Sequence, residues 1–120
     1  MNEINIEAEK KEILNRYKNL LKASKRRLEK GDKEVIRKAF EVAVDAHKEM
    51  RRKSGEPYIY HPIAVAQICA EEIGLGTTSI VCALLHDTVE DTDITLDDIK
   101  GMFGEKEAKI IDGLTKIAGV

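Results

Sequence analysis

Residues 83–91, Ala-Leu-Leu-His-Asp-Thr-Val-Glu-Asp, pass directly from an aliphatic run into a group of ionisable side chains. Charged groups beside an apolar segment are costly unless they are paired or bound to a metal. The adjacent His86 and Asp87 offer one imidazole nitrogen and one carboxylate oxygen, and Glu90 and Asp91 follow one helical turn later. This stretch is the strongest indication in the chain of an enzymatic site.

The bulk composition predicts one small domain, because 120 residues leave room for a single core. The 35% charged and 4% aromatic residues are typical of a helical protein with a well-solvated surface. Residues 1–53 hold 16 Lys or Arg against 10 Asp or Glu, a net +6, whereas residues 54–120 hold 4 against 12, a net −8. The basic half could attract phosphates and the acidic half a cation, although two solvated faces give the same pattern.

Several features together predict the cellular compartment. Cys69 and Cys82 lie among apolar residues and resemble small buried hydrophobes rather than a disulfide or a zinc site, which fits a reducing compartment. No apolar run approaches the roughly 20 residues of a membrane span, and the polar, acidic residues 1–5 do not resemble a signal peptide. We therefore expect a cytoplasmic protein without membrane contact. The overall net charge of −2 gives no reason to expect direct nucleic-acid binding.

Helical periodicity runs along nearly the whole chain. Apolar residues at helical spacing predict a first helix over about residues 6–28 and a second over about residues 33–50. Gly31 is expected to end the first helix and Asp32 to cap the second. A polar loop over residues 51–60 follows.

The later helices are marked by local start and stop signals, and no alternating strand of useful length is visible. The sequence therefore predicts an all-α fold. The signals are Pro62 in the first turn of a third helix, Gly74 near its end, Thr77 or Thr78 as the cap of a fourth, Thr95 with Asp98 as a capping box for a fifth, and Gly104 ahead of a last helix.

His61 extends the His86–Asp87 pair to a set of metal ligands. Two imidazoles and one carboxylate suit Mn, Fe, Zn or Co. His61 is distant from His86 in sequence, so a shared site requires the third and fourth helices to pack together. Taken alone, His61 is better explained as a helix-capping or surface residue.

Glu90 and Asp91 are the candidates for acid–base chemistry. On a helix, each lies one turn beyond a predicted ligand, Glu90 beyond His86 and Asp91 beyond Asp87. Carboxylates beside a metal can position water or move protons. A solvated helix end explains the same residues, since residues 91–93, Asp-Thr-Asp, resemble a loop.

Two further candidates are better explained by structure than by chemistry when each is taken alone. Residues 51–55, Arg-Arg-Lys-Ser-Gly, could hold phosphates, but a solvated basic helix end favoured by the helix dipole gives the same pattern. His47 falls on the apolar side of the second helix and reads as a hydrogen-bonded core histidine rather than a ligand.

Read together, these segments resemble the hydrolase domain of the RelA/SpoT homologues. The likeness covers roughly residues 33–117 and is far more specific than a lone His-Asp pair. It rests on Ala46-His47, residues 52–59 (Arg-Lys-Ser-Gly-Glu-Pro-Tyr-Ile), His61-Pro62, residues 84–92 (Leu-Leu-His-Asp-Thr-Val-Glu-Asp-Thr), Phe103-Gly104 and residues 112–116 (Asp-Gly-Leu-Thr-Lys).

The resemblance implies an all-α, HD-domain helical bundle. It also implies an enzyme that uses Mn²⁺ to remove the 3′-pyrophosphate from guanosine tetra- or pentaphosphate, (p)ppGpp, leaving GDP or GTP. The implied metal ligands are His61, His86 and Asp87; the implied catalytic acids are Glu90 and Asp91; the implied nucleotide contacts are Arg52, Lys53 and Ser54.

The chain departs from the family pattern in three ways. The family has a fourth metal ligand, an Asp in a later segment resembling Lys-Leu-Ala-Asp-Arg, and further pocket residues, and neither occurs here. Glu49 and Met50 stand where the family often has Gly and Gln. We therefore expect an N-terminal amphipathic helix over residues 1–31, followed by an HD-type hydrolase domain over residues 32–120 that lacks its C-terminal part. The long first helix suggests a bifunctional-type homologue, but synthesis is not supported for these residues.

Two alternatives remain open at this point. A truncated or degenerate HD domain could bind nucleotide or form homo-oligomers through exposed apolar surface without catalysis. A different HD phosphohydrolase could act on another nucleotide, although the Arg-Lys-Ser-Gly-Glu-Pro-Tyr loop is not general to HD proteins.

Overall fold

The protein is described by a computed structural model that covers residues 5–24, 28–73 and 76–118, and this part of the chain is helical throughout apart from its connections. One isolated bridge, between Arg51 and Pro57, is the only strand-like pairing within these ranges. The prediction of an all-α fold is confirmed. The helices are α1 (Ile6–Ser24), α2 (Asp32–Ala46), α3 (Tyr60–Ile68) with a π-helical continuation (Cys69–Ile73), α4 (Thr77–Asp91), α5 (Leu96–Phe103) and α6 (Glu105–Ala118).

Helix α4 lies at the centre of the bundle and packs against α2, α3 and α6. Its apolar residues form a continuous run rather than a stripe because the helix is covered on several sides. Each fully buried Leu or Ile contributes about 1.5–3 kcal/mol. This packing fixes the end of α4, where residues 86–91 lie. The buried apolar side chains of α4 are Ile80, Val81, Cys82, Ala83, Leu84 and Leu85.

Helix α1 packs onto the same core. Tyr17 and Leu20 are buried in it, and the Tyr17 ring stacks on Phe40 of α2 with 4.2 Å between ring centroids. Ile6 and Leu14 lie on the outer side of α1 and are about half exposed, at 51% and 53%. The helix is therefore amphipathic, and its inner face contacts α3 and the π-helical turn.

Some helix boundaries agree with the sequence signals. Thr95 Oγ1 accepts the Asp98 backbone N–H at 3.1 Å, and Asp98 Oδ2 accepts the Thr95 N–H at 3.0 Å, so the capping box is confirmed. Pro62 lies in the first turn of α3, and α6 begins directly after Gly104. The predicted helix end near Gly74 falls on a residue outside the described ranges.

The other predicted caps are wrong. Gly31, in the left-handed region at φ 92°, precedes α2, while Asp32 is already helical and its carboxylate accepts the Glu29 N–H at 2.8 Å. Thr77 is likewise the first residue of α4, after an extended Gly76, and no side chain caps this helix. A cap residue needs non-helical dihedrals, and a glycine supplies them in both places.

The first two helices are shorter than predicted. Helix α1 ends at Ser24, and Leu28 lies in a non-helical segment. Helix α2 ends at Ala46 because the next residues turn, with the Met50 N–H donating to the His47 carbonyl at 2.9 Å. This turn starts the loop that leads to α3.

Both cysteines are free, Cys82 buried and Cys69 half-buried. Burial raises the pKa of the Cys82 thiol to about 11, so it remains protonated and behaves as a small hydrophobe, as expected. Among the described helices, none has the length and apolar character to cross a membrane.

Candidate active site

The packing of α3 against α4 brings the three predicted ligands together. One ligand atom each from His61, His86 and Asp87 lie within 4.8 Å of one another. Asp87 Oδ2 is 3.7 Å from His61 Nε2, and Asp87 Oδ1 is 3.2 Å from His86 Nε2. Opposite ligands of an ion bonded at about 2.1 Å are about 4.2 Å apart, so small side-chain movements would place all three on one ion.

The hydrogen bond of His86 fits a metal ligand. Its Nδ1 lies 2.8 Å from the carbonyl oxygen of Ala83, one turn earlier on α4. Because a carbonyl can only accept, Nδ1 is the donor of this contact, so Nε2, the atom that faces Asp87, is the ring nitrogen left to bind a metal. Metal-binding histidines usually donate their other ring nitrogen in this way.

Asp87 is the most buried of the three predicted ligands, with only 8% of the residue exposed. A buried carboxylate needs hydrogen-bonding partners, and the Tyr58 hydroxyl donates to its Oδ2 at 2.9 Å. Burial, and then this hydrogen bond, raise the pKa of Tyr58 far above its ordinary value, so the hydroxyl stays protonated. Tyr58 belongs to one of the family-like motifs, but its role is not visible in the sequence, because the contact joins residues 29 positions apart.

The two predicted catalytic acids differ in position. Asp91 ends α4 and is exposed, and its Oδ2 lies 3.3 Å from the Tyr58 hydroxyl, which in turn contacts the predicted ligand Asp87. Glu90 is exposed, and its carboxylate has no hydrogen bond or ion pair among the residues that the structure describes. Asp91 is therefore the acid that the fold brings to the cluster, while Glu90 lies on the solvent side.

The predicted nucleotide contacts lie in the exposed loop between α2 and α3. Its backbone closes through Gly55 N–H to Arg52 O at 2.8 Å and Arg52 N–H to Glu56 O at 2.9 Å, with Gly55 at φ 94°. Within the described ranges the side chains of Arg52, Lys53 and Ser54 make no hydrogen bond or ion pair, so they are available to a ligand. The loop leads directly through Tyr58 to His61.

A bidentate ion pair fixes this loop to α1. Arg51 Nη1 and Nη2 donate to the two carboxylate oxygens of Glu9 at 2.8 and 2.6 Å, and Nη1 also donates to the Gly55 carbonyl at 2.7 Å. The hydrogen bonds from Arg51 lower the pKa of Glu9. In the sequence Arg51 resembles one of several solvated cations, since its partner lies 42 positions away.

His47 is a buried neighbour of Tyr58. It is 1% exposed, and its ring lies against that of Tyr58, with centroids 4.8 Å apart. Its Nδ1 is 3.3 Å from Met50 Sδ, but Nε2 has no partner among the described atoms. The prediction that His47 is buried is confirmed. The prediction that its ring is hydrogen-bonded is wrong for Nε2, which has no partner among the described atoms. Burial lowers the pKa of His47, which favours the neutral ring.

An adjacent His and Asp on one helix, facing a His from the neighbouring helix of an all-α bundle, define a class of metal-binding helical domain. The chain belongs to the HD domain family, whose profile matches residues 39–120. It is 51% identical over 87 residues to a guanosine-3′,5′-bis(diphosphate) 3′-pyrophosphohydrolase of Aquifex aeolicus, covering 72% of this chain and 12% of that protein.

Two further relatives have related names. A probable GTP pyrophosphokinase of Mycobacterium leprae is 48% identical over 73% of this chain and 11% of its own length. The bifunctional (p)ppGpp synthase/hydrolase SpoT of Escherichia coli K12 is 46% identical over 68% of this chain and 12% of its own length. The chain thus spans about an eighth of the length of these relatives, and the resemblance to RelA/SpoT homologues is confirmed.

Proposed function

We propose that this chain contributes the hydrolase site of a RelA/SpoT-type protein, which removes the 3′-pyrophosphate from (p)ppGpp. The observation that carries the proposal is the convergence of His61, His86 and Asp87 from two helices. The loop that leads into His61 carries Arg52 and Lys53, whose side chains make no ion pair within the described ranges. We propose that residues 1–31 form an N-terminal segment that carries the amphipathic helix α1, and that residues 32–120 form the HD-type domain. Relatives named for this hydrolysis, at up to 51% identity, support it.

We propose Mn²⁺ as the metal, held by Nε2 of His61, Nε2 of His86 and a carboxylate oxygen of Asp87. The donor set of two imidazoles and one carboxylate suits this ion, as well as Zn, Fe and Co. When bound, the ion supplies Lewis-acid polarisation of a phosphoryl oxygen.

The protein side chains around this site have separate tasks. Arg52 pairs with phosphate oxygens through two parallel hydrogen bonds, Lys53 adds a point charge, and Ser54 donates a hydroxyl. Asp91, assisted by Glu90, orients a water and accepts its proton. The water oxygen bonds to the phosphorus carried on the 3′-oxygen, the bond from phosphorus to that oxygen breaks, and the 3′-oxygen leaves as a hydroxyl after taking up the proton that Asp91 received from the water. Water and ppGpp thereby give GDP and pyrophosphate.

The proposed setting is the cytoplasm, with a free nucleotide rather than nucleic acid as the substrate. Two free cysteines, one of them buried, support a reducing compartment. A net charge of −2 gives no general attraction to nucleic acid.

The test is pyrophosphate release from ppGpp in the presence of Mn²⁺ by the wild-type chain and by His86→Ala. Glu41→Gln is the control, because Glu41 lies on the outside of α2 and its one ion pair among the described residues is with the exposed Arg37. We expect release by the wild type and the control, and none by His86→Ala. Release that His86→Ala retains would contradict the metal assignment. Release of inorganic phosphate instead of pyrophosphate would indicate another HD phosphohydrolase.

A second candidate function is a non-catalytic module that binds nucleotide or forms homo-oligomers. The half-exposed Ile6 and Leu14 on α1 favour it, since apolar side chains on one helix face can pair with a second copy. Sedimentation of the chain at rising concentration tests this idea. A strictly monomeric protein would contradict self-association, and Mn²⁺-dependent turnover would contradict the absence of catalysis.

A further inference from the structure

We propose that Tyr58 is a positioning residue that holds the metal ligand Asp87 and the acid Asp91 in a fixed relation. This inference rests on the proposed function, because it assigns Tyr58 a task at the same site. The Tyr58 hydroxyl oxygen lies 2.9 Å from Asp87 Oδ2 and 3.3 Å from Asp91 Oδ2. Within the described ranges it is the one side chain that lies within hydrogen-bonding distance of both carboxylates.

The hydroxyl contact leaves the other Asp87 oxygen available. A tyrosine hydroxyl carries a single proton, so it donates to one carboxylate oxygen at a time, and the shorter contact favours Asp87 Oδ2. Asp87 Oδ1 then remains free and faces His86 Nε2 at 3.2 Å. The Tyr58 hydroxyl thus fixes the rotation of the Asp87 carboxylate, with Oδ1 toward His86 and Oδ2 on the side of His61, 3.7 Å from His61 Nε2.

The position of Tyr58 is itself fixed from several sides. Its ring packs between His47, at 4.8 Å, and His61, at 6.0 Å between centroids in an edge-on arrangement. Its backbone N–H donates to Met50 O at 2.9 Å, and its carbonyl accepts the His61 N–H at 3.0 Å. Tyr58 therefore links the end of α2, the start of α3 and the end of α4, so its hydroxyl has little freedom to move.

These contacts predict what the hydroxyl contributes. Partners that orient a metal ligand typically change metal affinity or activity 10–100-fold when removed. Removal of the hydroxyl should weaken metal binding through Asp87 and lower kcat through Asp91. It should leave KM for the nucleotide unchanged, because the loop cations Arg52 and Lys53 lie outside these contacts.

The test compares Tyr58→Phe with the matched control Tyr60→Phe. Phenylalanine keeps the ring of Tyr58 between the two histidines and removes one oxygen. Tyr60 is a half-buried tyrosine two positions later whose ring faces Arg16 of α1 instead, at 3.9 Å. Mn²⁺ affinity is measured by electron paramagnetic resonance of the free ion, and kcat and KM are measured with ppGpp. We expect about tenfold or more weaker Mn²⁺ binding for Tyr58→Phe, a lower kcat at saturating Mn²⁺, and wild-type values for Tyr60→Phe.

The outcomes separate this inference from the proposed function. A wild-type chain that binds no Mn²⁺ would overturn the metal site itself. A wild-type chain that binds Mn²⁺, together with a Tyr58→Phe variant of equal affinity and equal kcat, would overturn only the role of Tyr58.

The double variant Tyr58→Phe/Asp91→Asn tests the link to Asp91. Its kcat should equal that of Asp91→Asn alone, whereas additive losses would mean that the two residues act independently.

Discussion

The packing of α1 onto the HD domain can be tested by truncating one buried side chain. Leu20 is 0% exposed and belongs to the same core as α4. Leu20→Ala removes three carbon groups at about 0.8 kcal/mol each, and the remaining cavity adds to this loss. We expect the free energy of unfolding to fall by about 3 kcal/mol. At about 2.1 cal/mol/K per residue, this corresponds to a Tm roughly 12 °C lower for a domain of this size.

Leu14→Ala is the matched control, since it makes the same change on the same helix. Leu14 is 53% exposed, so its truncation should change the free energy of unfolding by no more than about 0.5 kcal/mol. Any gain in helix propensity is the same for both variants. Thermal unfolding followed by circular dichroism compares them. Equal Tm values for the two variants would refute the conclusion that α1 is an integral part of the core.

Three further predictions concern single residues. Burial lowers the pKa of His47, so the unfolded chain takes up a proton that the folded chain resists, and stability present above about pH 6.5 should decline toward acid. Urea unfolding with a chelator should give a lower free energy of unfolding at pH 5 than at pH 8, and this difference should be smaller in His47→Gln. An equal difference in the wild type and in His47→Gln would contradict the prediction. Glu9→Gln weakens the ion pair with Arg51 and should speed hydrogen exchange of the loop amides at Arg52 and Gly55, so unchanged exchange would mean that α1 does not restrain the loop. Thr95→Ala removes the capping box of α5 and should cost about 1 kcal/mol in urea unfolding, and a loss below about 0.3 kcal/mol would indicate that solvent satisfies the same groups.

Much of the helical architecture could be predicted from local sequence patterns. The uninterrupted apolar run of α4 marks a helix buried on several sides, and the Thr95–Asp98 box marks a helix start, because both signals act within one or two turns. The caps proposed at Asp32 and Thr77 were wrong. Whether a polar residue or the glycine before it takes the cap position depends on backbone dihedrals that residue type alone does not fix.

The cluster of candidate ligands could be predicted because His86 and Asp87 are adjacent in the sequence and the family resemblance adds His61 to them. Their neighbours could not, since those contacts depend on how distant segments pack. Tyr58 reaches Asp87 only after α3 lies against α4, and Glu9 reaches Arg51 only after α1 packs on the core. The unpartnered Nε2 of His47 is likewise a property of the folded interior, because it reflects which side chains surround the ring.

The binding of one divalent ion by His61, His86 and Asp87 is tested most directly by a crystal structure of the chain grown with Mn²⁺ and measured for anomalous scattering. We predict one anomalous peak per chain, within about 2.0–2.3 Å of His61 Nε2, His86 Nε2 and one Asp87 carboxylate oxygen. A map at saturating Mn²⁺ with no peak between these three side chains, or with the ion elsewhere on the acidic surface, would contradict the assignment.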